Sequence, residues 1–127
     1  MKKIFLLLLP YLFCSLGCTA QKAIRMKSVE AQNFIKNNKE LVIIDVRTPE
    51  EFEEGHLKGA INIDVKKSDF EEQIAKLDTS KTYLVYCRSG RRSAGAVRIM
   101  HNKNFKSLYE ISDGFMGWAN KGLPVEK

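Results

Sequence analysis

One run in this 127-residue chain collects the residue types that activate a thiol: Cys87-Arg88-Ser89-Gly90-Arg91-Arg92-Ser93. The thiolate, not the thiol, is the nucleophile, and positive charge and amide donors around a cysteine favour it. Ser89 and Gly90 are small enough for the backbone to curl tightly. Successive N–H groups can then turn inward as an anion-binding nest. A helix opening after the loop adds its positive end, and Arg88, Arg91 and Arg92 raise the local potential further. These features together predict a depressed thiol pKa at Cys87. The same nest would hold a negatively charged adduct on the sulfur, and a persulfide, R–S–S⁻, is such an adduct. The plainer alternative is a cysteine packed as a small hydrophobe beside a solvated basic turn. Three arginines and a glycine in the five residues after Cys87 argue against it.

The flanking elements must place that loop. Ser28 predicts a helix start, running through Phe34 and Ile35 to the turn-forming Asn37-Asn38. Leu41 to Ile44 is continuously apolar, as in a strand buried on both faces. Thr48-Pro49-Glu50-Glu51 supplies a capping hydroxyl, a proline at the first helical position and two acids near the positive helix end. Gly55 stops that helix, and Ala60 to Ile63 predicts a second short strand. Ser68-Asp69-Phe70-Glu71 has capping-box spacing and opens a helix through Ile74 and Leu77. Thr82 to Tyr86 predicts a third strand, Ser93 to Asn102 a helix, and Ser107 to Ile111 a fourth strand. Asp113-Gly114 is a turn, and Phe115 to Asn120 a short last helix closed by Gly122 and Pro124. Alternating strands and helices argue for an α/β domain, a mostly parallel central sheet with helices on both faces. Ligands in such sheets bind at the carboxyl ends of the strands, which is where Cys87 falls.

Composition narrows the function classes. The formal charge of +6 is modest and both signs are spread along the chain, so no nucleic-acid-binding element stands out. Three cysteines and two histidines are too few and too poorly spaced for a zinc cage or a disulfide framework. At the amino end, Lys2 and Lys3 precede a nearly unbroken apolar run from Ile4 to Cys14. That run is about half the length of a membrane span and suits the core of a signal peptide. Residues 1–20 are therefore expected to direct export to the cell envelope of a bacterium. Cleavage after Ala20 would leave a soluble periplasmic chain. Cleavage before Cys18 would leave that thiol to be lipidated. Ser15-Leu16-Gly17-Cys18 resembles a bacterial lipoprotein box, although Ser15 stands where Leu is usual. Residues 21–27 then form a short polar tether and residues 28–127 the domain. In either case Cys87 is left as the only free thiol, a notable choice in an oxidising compartment.

The loop Cys87-Arg88-Ser89-Gly90-Arg91-Arg92-Ser93 resembles the active-site loop of single-domain rhodanese-like sulfurtransferases. Two further stretches are similar to that family's motifs. One is Asp45-Val46-Arg47-Thr48-Pro49-Glu50-Glu51-Phe52 followed by Gly55-His56-Leu57-Lys58-Gly59-Ala60-Ile61-Asn62-Ile63, with Leu57 in place of the common Ile. The other runs from Asp113-Gly114-Phe115-Met116-Gly117-Trp118 to Gly122-Leu123-Pro124-Val125, with Phe115 in place of a second Gly. The resemblance implies that Cys87 attacks the sulfane sulfur of an anionic donor such as thiosulfate, becomes a persulfide and releases sulfite. A thiol, cyanide or a protein acceptor then takes the sulfur, with no cofactor or metal. It implies that the amides of Arg88 through Ser93 cradle the outer sulfur, that Arg88 and Arg91 attract the donor, and that Arg92 and Ser93 orient the loop. Asp45 is either a brace for the loop or a capping or salt-bridge acid. Arg47 either joins the anion site or pairs with Glu50 or Glu51. His56 reads as a hydrogen-bonding turn residue and not a base, and Trp118 as core.

Three alternatives compete with this reading. Cysteine phosphatases need Cys-x5-Arg so that a forked guanidinium wraps the phosphoryl group; here Arg92 gives Cys-x4-Arg, a smaller cradle. A thiol–disulfide oxidoreductase would carry Cys-x-x-Cys, and no second cysteine is near. A binding or persulfide-relay module serving a protein partner uses the same residues and stays open.

Overall fold

Residue-by-residue alternation along the strands sorts the side chains to two faces, and a helical layer covers each. The computed structural model describes residues 23–127. In chain order the elements are β1 (Ile24–Met26), α1 (Ser28–Asn37), β2 (Val42–Asp45), α2 (Pro49–Glu54), β3 (Ile61–Asn62), α3 (Phe70–Ala75), β4 (Thr82–Tyr86), α4 (Arg91–Asn102), β5 (Ser107–Ile111) and α5 (Gly114–Asn120). The sheet order is β1-β5-β4-β2-β3 and every pairing is parallel. This is the expected α/β fold with a parallel sheet.

On one face, Ile44, Tyr83, Val85, Cys87 and Leu108 pack against Phe70 and Ile74 of α3 and Ala96, Val97 and Met100 of α4. On the other face, Met26, Ile43, Leu84, Tyr86 and Ile111 pack against Ala31 of α1 and Trp118 of α5, with Phe52 of α2 alongside. Ile44, Leu84 and Val85 have no exposed surface, so β2 and β4 are buried on both sides. Each such side chain contributes about 1.5–3 kcal/mol of burial. The parallel register brings the ends of β2 and β4 level, with Asp45 opposite Tyr86. Residues just beyond both strands therefore meet at one edge of the sheet.

Three local expectations need correction. Residues 24–26, expected within a tether, form strand β1, which pairs with β5 at the sheet edge; the signal peptide and Cys18 lie outside the described residues, as do Gln21 and Lys22 of the tether. Ser28 is not a self-sufficient cap. Lys27 occupies the cap position, and Asp113 reaches over instead: its Oδ1 accepts from the Ser28 amide at 3.0 Å and from the Ser28 hydroxyl at 2.8 Å. The Ser68–Glu71 capping box does not form. Asp69 caps α3 by position only, without a side-chain bond, and the helix ends at Ala75. At α2 the box is complete, with Thr48 and Glu51 bonding each other's amides and Pro49 inside the first turn.

Asp113 thus ties the turn after β5 to the start of α1, bridging 85 residues of sequence. Replacing Asp113 with Ala removes the acceptor for one orphan amide and one hydroxyl. It should destabilise the fold by about 1–2 kcal/mol, read as a lower urea midpoint with unchanged slope. A midpoint equal to that of the parent chain would remove Asp113 from this role.

Candidate active site

Cys87 is the first residue beyond β4 and continues its alternation, so its side chain faces α4. The residue is 1% exposed, beneath the loop and not projecting from it. Its Sγ accepts the Gly90 N–H at 3.1 Å, and its thiol donates to Ser93 Oγ at 3.4 Å. Gly90 holds the left-handed conformation, φ 97°, and a side chain there would run into the carbonyl oxygen of Ser112. The tight curl inferred from Ser89-Gly90 is therefore a steric requirement at residue 90. Burial pushes the Cys87 thiol up. In the ionised form, hydrogen bonds from the Ser93 hydroxyl turned toward the sulfur and from the amides of Ser93, Gly90 and Ser89 outweigh it, and the net shift is downward. The depression expected from the sequence is present, with hydrogen bonds as its leading source where the sequence reading shared it with the arginines.

The loop's carbonyls point the other way and are also paired. Cys87 O accepts from the Phe115 amide at 2.8 Å and Arg88 O from the Met116 amide at 2.9 Å. Both donors are in the first turn of α5, whose amides would otherwise lack partners. Gly114 makes the approach close enough: its φ is 60°, and a Cβ would strike the Arg88 carbonyl oxygen.

The arginines separate into distinct roles. Arg92, in the first turn of α4, makes a forked pair with Glu51, Nη1 to Oε1 at 2.7 Å and Nη2 to Oε2 at 2.9 Å. It ties α4 to α2, with its guanidinium engaged by protein. Arg47 pairs with neither Glu50 nor Glu51. Its Nη2 meets Asp45 Oδ2 at 2.7 Å and the Gly55 carbonyl at 2.6 Å. Its guanidinium lies 4.2 Å from the centre of the Phe115 ring, within cation–π range. Asp45 is accordingly a fully buried ion-pair acid, also accepting the Arg47 amide. It belongs to the opposite face of β2 from the one Cys87 continues on β4, and the structure gives it no bond to the loop. Arg88 and Arg91 are exposed. Arg88 lines a cavity of about 270 Å³ with Arg47, Glu51, Phe115 and Met116. A larger hollow of about 860 Å³ lies among residues 38–41 and 78–82, before β2 and at the start of β4, and holds none of these residues. His56 bonds the Phe52 carbonyl at 2.8 Å and stacks on its ring, a structural role; Trp118 is core and donates to the Pro124 carbonyl at 2.9 Å. Among the described residues, no three His, Cys, Asp or Glu side chains gather where a metal ion could sit.

A thiolate-favouring cysteine in an amide cradle at the carboxyl edge of a parallel sheet is the geometry on which the comparisons bear. The family model for the rhodanese-like domain matches residues 28–121. The chain belongs to the rhodanese-like family. Thiosulfate sulfurtransferase 16, chloroplastic, of Arabidopsis thaliana is 38% identical over an alignment covering 65% of this chain and 78% of that one. Among solved structures, a rhodanese-related protein from Thermoplasma volcanium aligns with a TM-score of 0.69 at 29% identity, covering 84% of this chain and 98% of its own. The polysulfide-sulfur transferase homodimer from Wolinella succinogenes aligns with a TM-score of 0.69 at 26% identity, covering 83% and 79%.

Within this rhodanese-like site, three contributors escaped the sequence reading. Glu51 is a helix-start acid by its position and also the partner of Arg92. Glu110 is 1% exposed and bonds Ser93, with Arg25 of β1 on its other oxygen. A lone acid inside Leu108-Tyr109-Glu110-Ile111 was the available signal, since a strand covered on both faces has no ordinary place for a charge. The amides of α5 left no signal beyond Gly114.

Arg92 holds Glu51 down at about 2, with the Thr48 bonds assisting and burial opposing. A depressed carboxylate stabilises the fold above its unfolded pKa, about 4.3. That contribution is lost as pH falls from there through about 2. Glu51→Gln should therefore unfold at a lower temperature than the parent at neutral pH, and the gap should close between about pH 4.5 and about pH 2. A gap independent of pH would show that the pair does not titrate this way.

Proposed function

We propose that this member of the family is a sulfurtransferase that carries sulfane sulfur as a persulfide on Cys87. The observation that carries the proposal is the donation from the Gly90 amide to Cys87 Sγ at 3.1 Å within a loop that lowers the thiol pKa. The Cys87 thiolate attacks the outer sulfur of a thiosulfate-like donor. A new S–S bond forms, the donor's own S–S bond breaks, and sulfite leaves with the electron pair. The outer sulfur then carries the negative charge, and loop amides from Arg88 to Ser93 suit it as donors. A thiol, cyanide or a protein acceptor attacks that sulfur, and Cys87 leaves as the thiolate. No step requires a metal or organic cofactor. Arg88, exposed at the mouth of the smaller cavity, and Arg91 supply the attraction for an anionic donor. Residues 1–20 support an exported chain, lipid-anchored at Cys18 or released after Ala20.

The test is intact mass spectrometry of the purified chain before and after thiosulfate, with Cys87→Ser alongside. The parent should gain one sulfur atom, about 32 Da, and lose it to cyanide or excess thiol, while the variant, unable to form a persulfide, gains none. Sulfur retained by Cys87→Ser would end the proposal. No gain with thiosulfate and none with polysulfide would leave the family's binding function as the better account. The starting mass also reports cleavage at Ala20 or a lipid on Cys18. Separately, Arg88→Ala should raise the KM for thiosulfate about three- to tenfold, with a weaker dependence on salt. An unchanged KM would remove Arg88 from donor binding.

A further inference from the structure

Cys87, Ser93 and Glu110 form one directed hydrogen-bond chain. The Cys87 thiol donates to Ser93 Oγ at 3.4 Å, and Ser93 Oγ donates to Glu110 Oε2 at 2.6 Å. All three residues are at most 1% exposed. They lie on one face of the sheet because Glu110, two residues from Leu108, shares its side with Leu108 and Cys87, where α4 brings Ser93. Glu110 Oε1 is held by Arg25 Nε at 2.9 Å, so the carboxylate is fixed from both ends.

Ser93 has one hydroxyl proton and two anionic claimants. While Glu110 is ionised it takes that proton, and Ser93 can only accept from the sulfur. When the sulfur is ionised, Ser93 serves it as a donor only by releasing the carboxylate. Thiolate at Cys87 and charge at Glu110 therefore compete for a single hydrogen. We propose that Glu110 is a positioning residue for sulfur transfer that, acting through Ser93, receives the proton of the resting Cys87 thiol. The step moves the S–H proton to Ser93 Oγ as the hydroxyl's own proton passes to Glu110 Oε2. It leaves a thiolate, an unchanged serine and a neutral carboxylic acid, with net charge conserved. The charge required for attack thus arises inside the protein without a base from solution.

The surrounding charges are mostly positive. Arg25 from β1 bonds the carboxylate directly, and Arg98 and His101 of α4 share with it a groove of about 420 Å³. Arg88 and Arg91 stand in and after the loop. Arg92 of α4 acts on the sulfur through its charge while its guanidinium stays bonded to Glu51 of α2, with the Asp45 charge of β2 also acting on it. The negative charge can move along the chain between sulfur and carboxylate without leaving this basic setting.

The inference rests on Cys87 being the sulfur-carrying nucleophile, but its test needs no sulfur donor. The rate of iodoacetamide alkylation is followed on the peptide carrying Cys87, in the folded full chain, from about pH 4 to about pH 10. Two coupled sites should give the parent two rising steps, the lower being the relayed thiolate. Glu110→Gln and Ser93→Ala should each collapse the profile to one step, with about a tenfold lower rate on the acid side. Arg25→Gln should keep both steps and move the lower one upward, since it leaves the relay intact and removes only a positive neighbour. A single step in the parent, or two steps persisting in a folded Glu110→Gln, would overturn the proposal. Two steps in a chain that gains no sulfur in the mass measurement would separate thiol activation, retained, from sulfur transfer, lost.

Discussion

The two bonds from the first turn of α5 to the carbonyl oxygens of Cys87 and Arg88 are the constraint on which the site depends. A peptide group that turns its N–H inward must turn its C=O outward. A nest of inward amides therefore creates a matching row of outward carbonyls, and leaving these buried without partners would cost as much as the nest gains. The start of α5 has the opposite surplus, amides without acceptors. Docking one on the other satisfies both. Gly114 follows from this contact, because only a residue without Cβ fits between the helix start and the Arg88 carbonyl.

The site is built from both faces of the sheet. The sulfur, Ser93 and Glu110 lie on the α4 face, while Asp45 and Arg47 belong to the face covered by α2 and α5. The Arg92–Glu51 fork bridges them at the carboxyl edge, linking the helix after the loop to the helix that Arg47 holds through Gly55. Ion pairs such as the buried Arg47–Asp45 and the half-buried Arg92–Glu51 contribute less to net stability than to fixing one geometry. Here the geometry they fix is the height of the loop above β4.

The α/β alternation was legible because each strand and helix carries its own pattern. Val42–Asp45 and Thr82–Tyr86 are apolar runs of strand length, and Thr48-Pro49-Glu50-Glu51 is a local capping signal that the structure reproduces. The cysteine loop was legible for the same reason, since its small and basic residues are contiguous. What failed to show were features created by tertiary contact. Ile24-Arg25-Met26 has no pattern a tether would lack and becomes a strand only because β5 offers a free edge. Ser28 looked like a cap because its type caps, whereas the acceptor comes from Asp113 far along the chain. Arg47 had two acids close in sequence and took Asp45, because Glu51 was already engaged by Arg92 from α4.

The edge strand also sets a direction. β1 runs parallel to β5, so it ends beside the loop and begins at the far side of the sheet, where Ala23 lies with His101 and Asn102 near the end of α4. Ala23, the first described residue, therefore sits at the pole opposite the sulfur. A tether fixed at that pole would hold the domain by its back and leave the loop that covers Cys87 on the face turned away from the attachment.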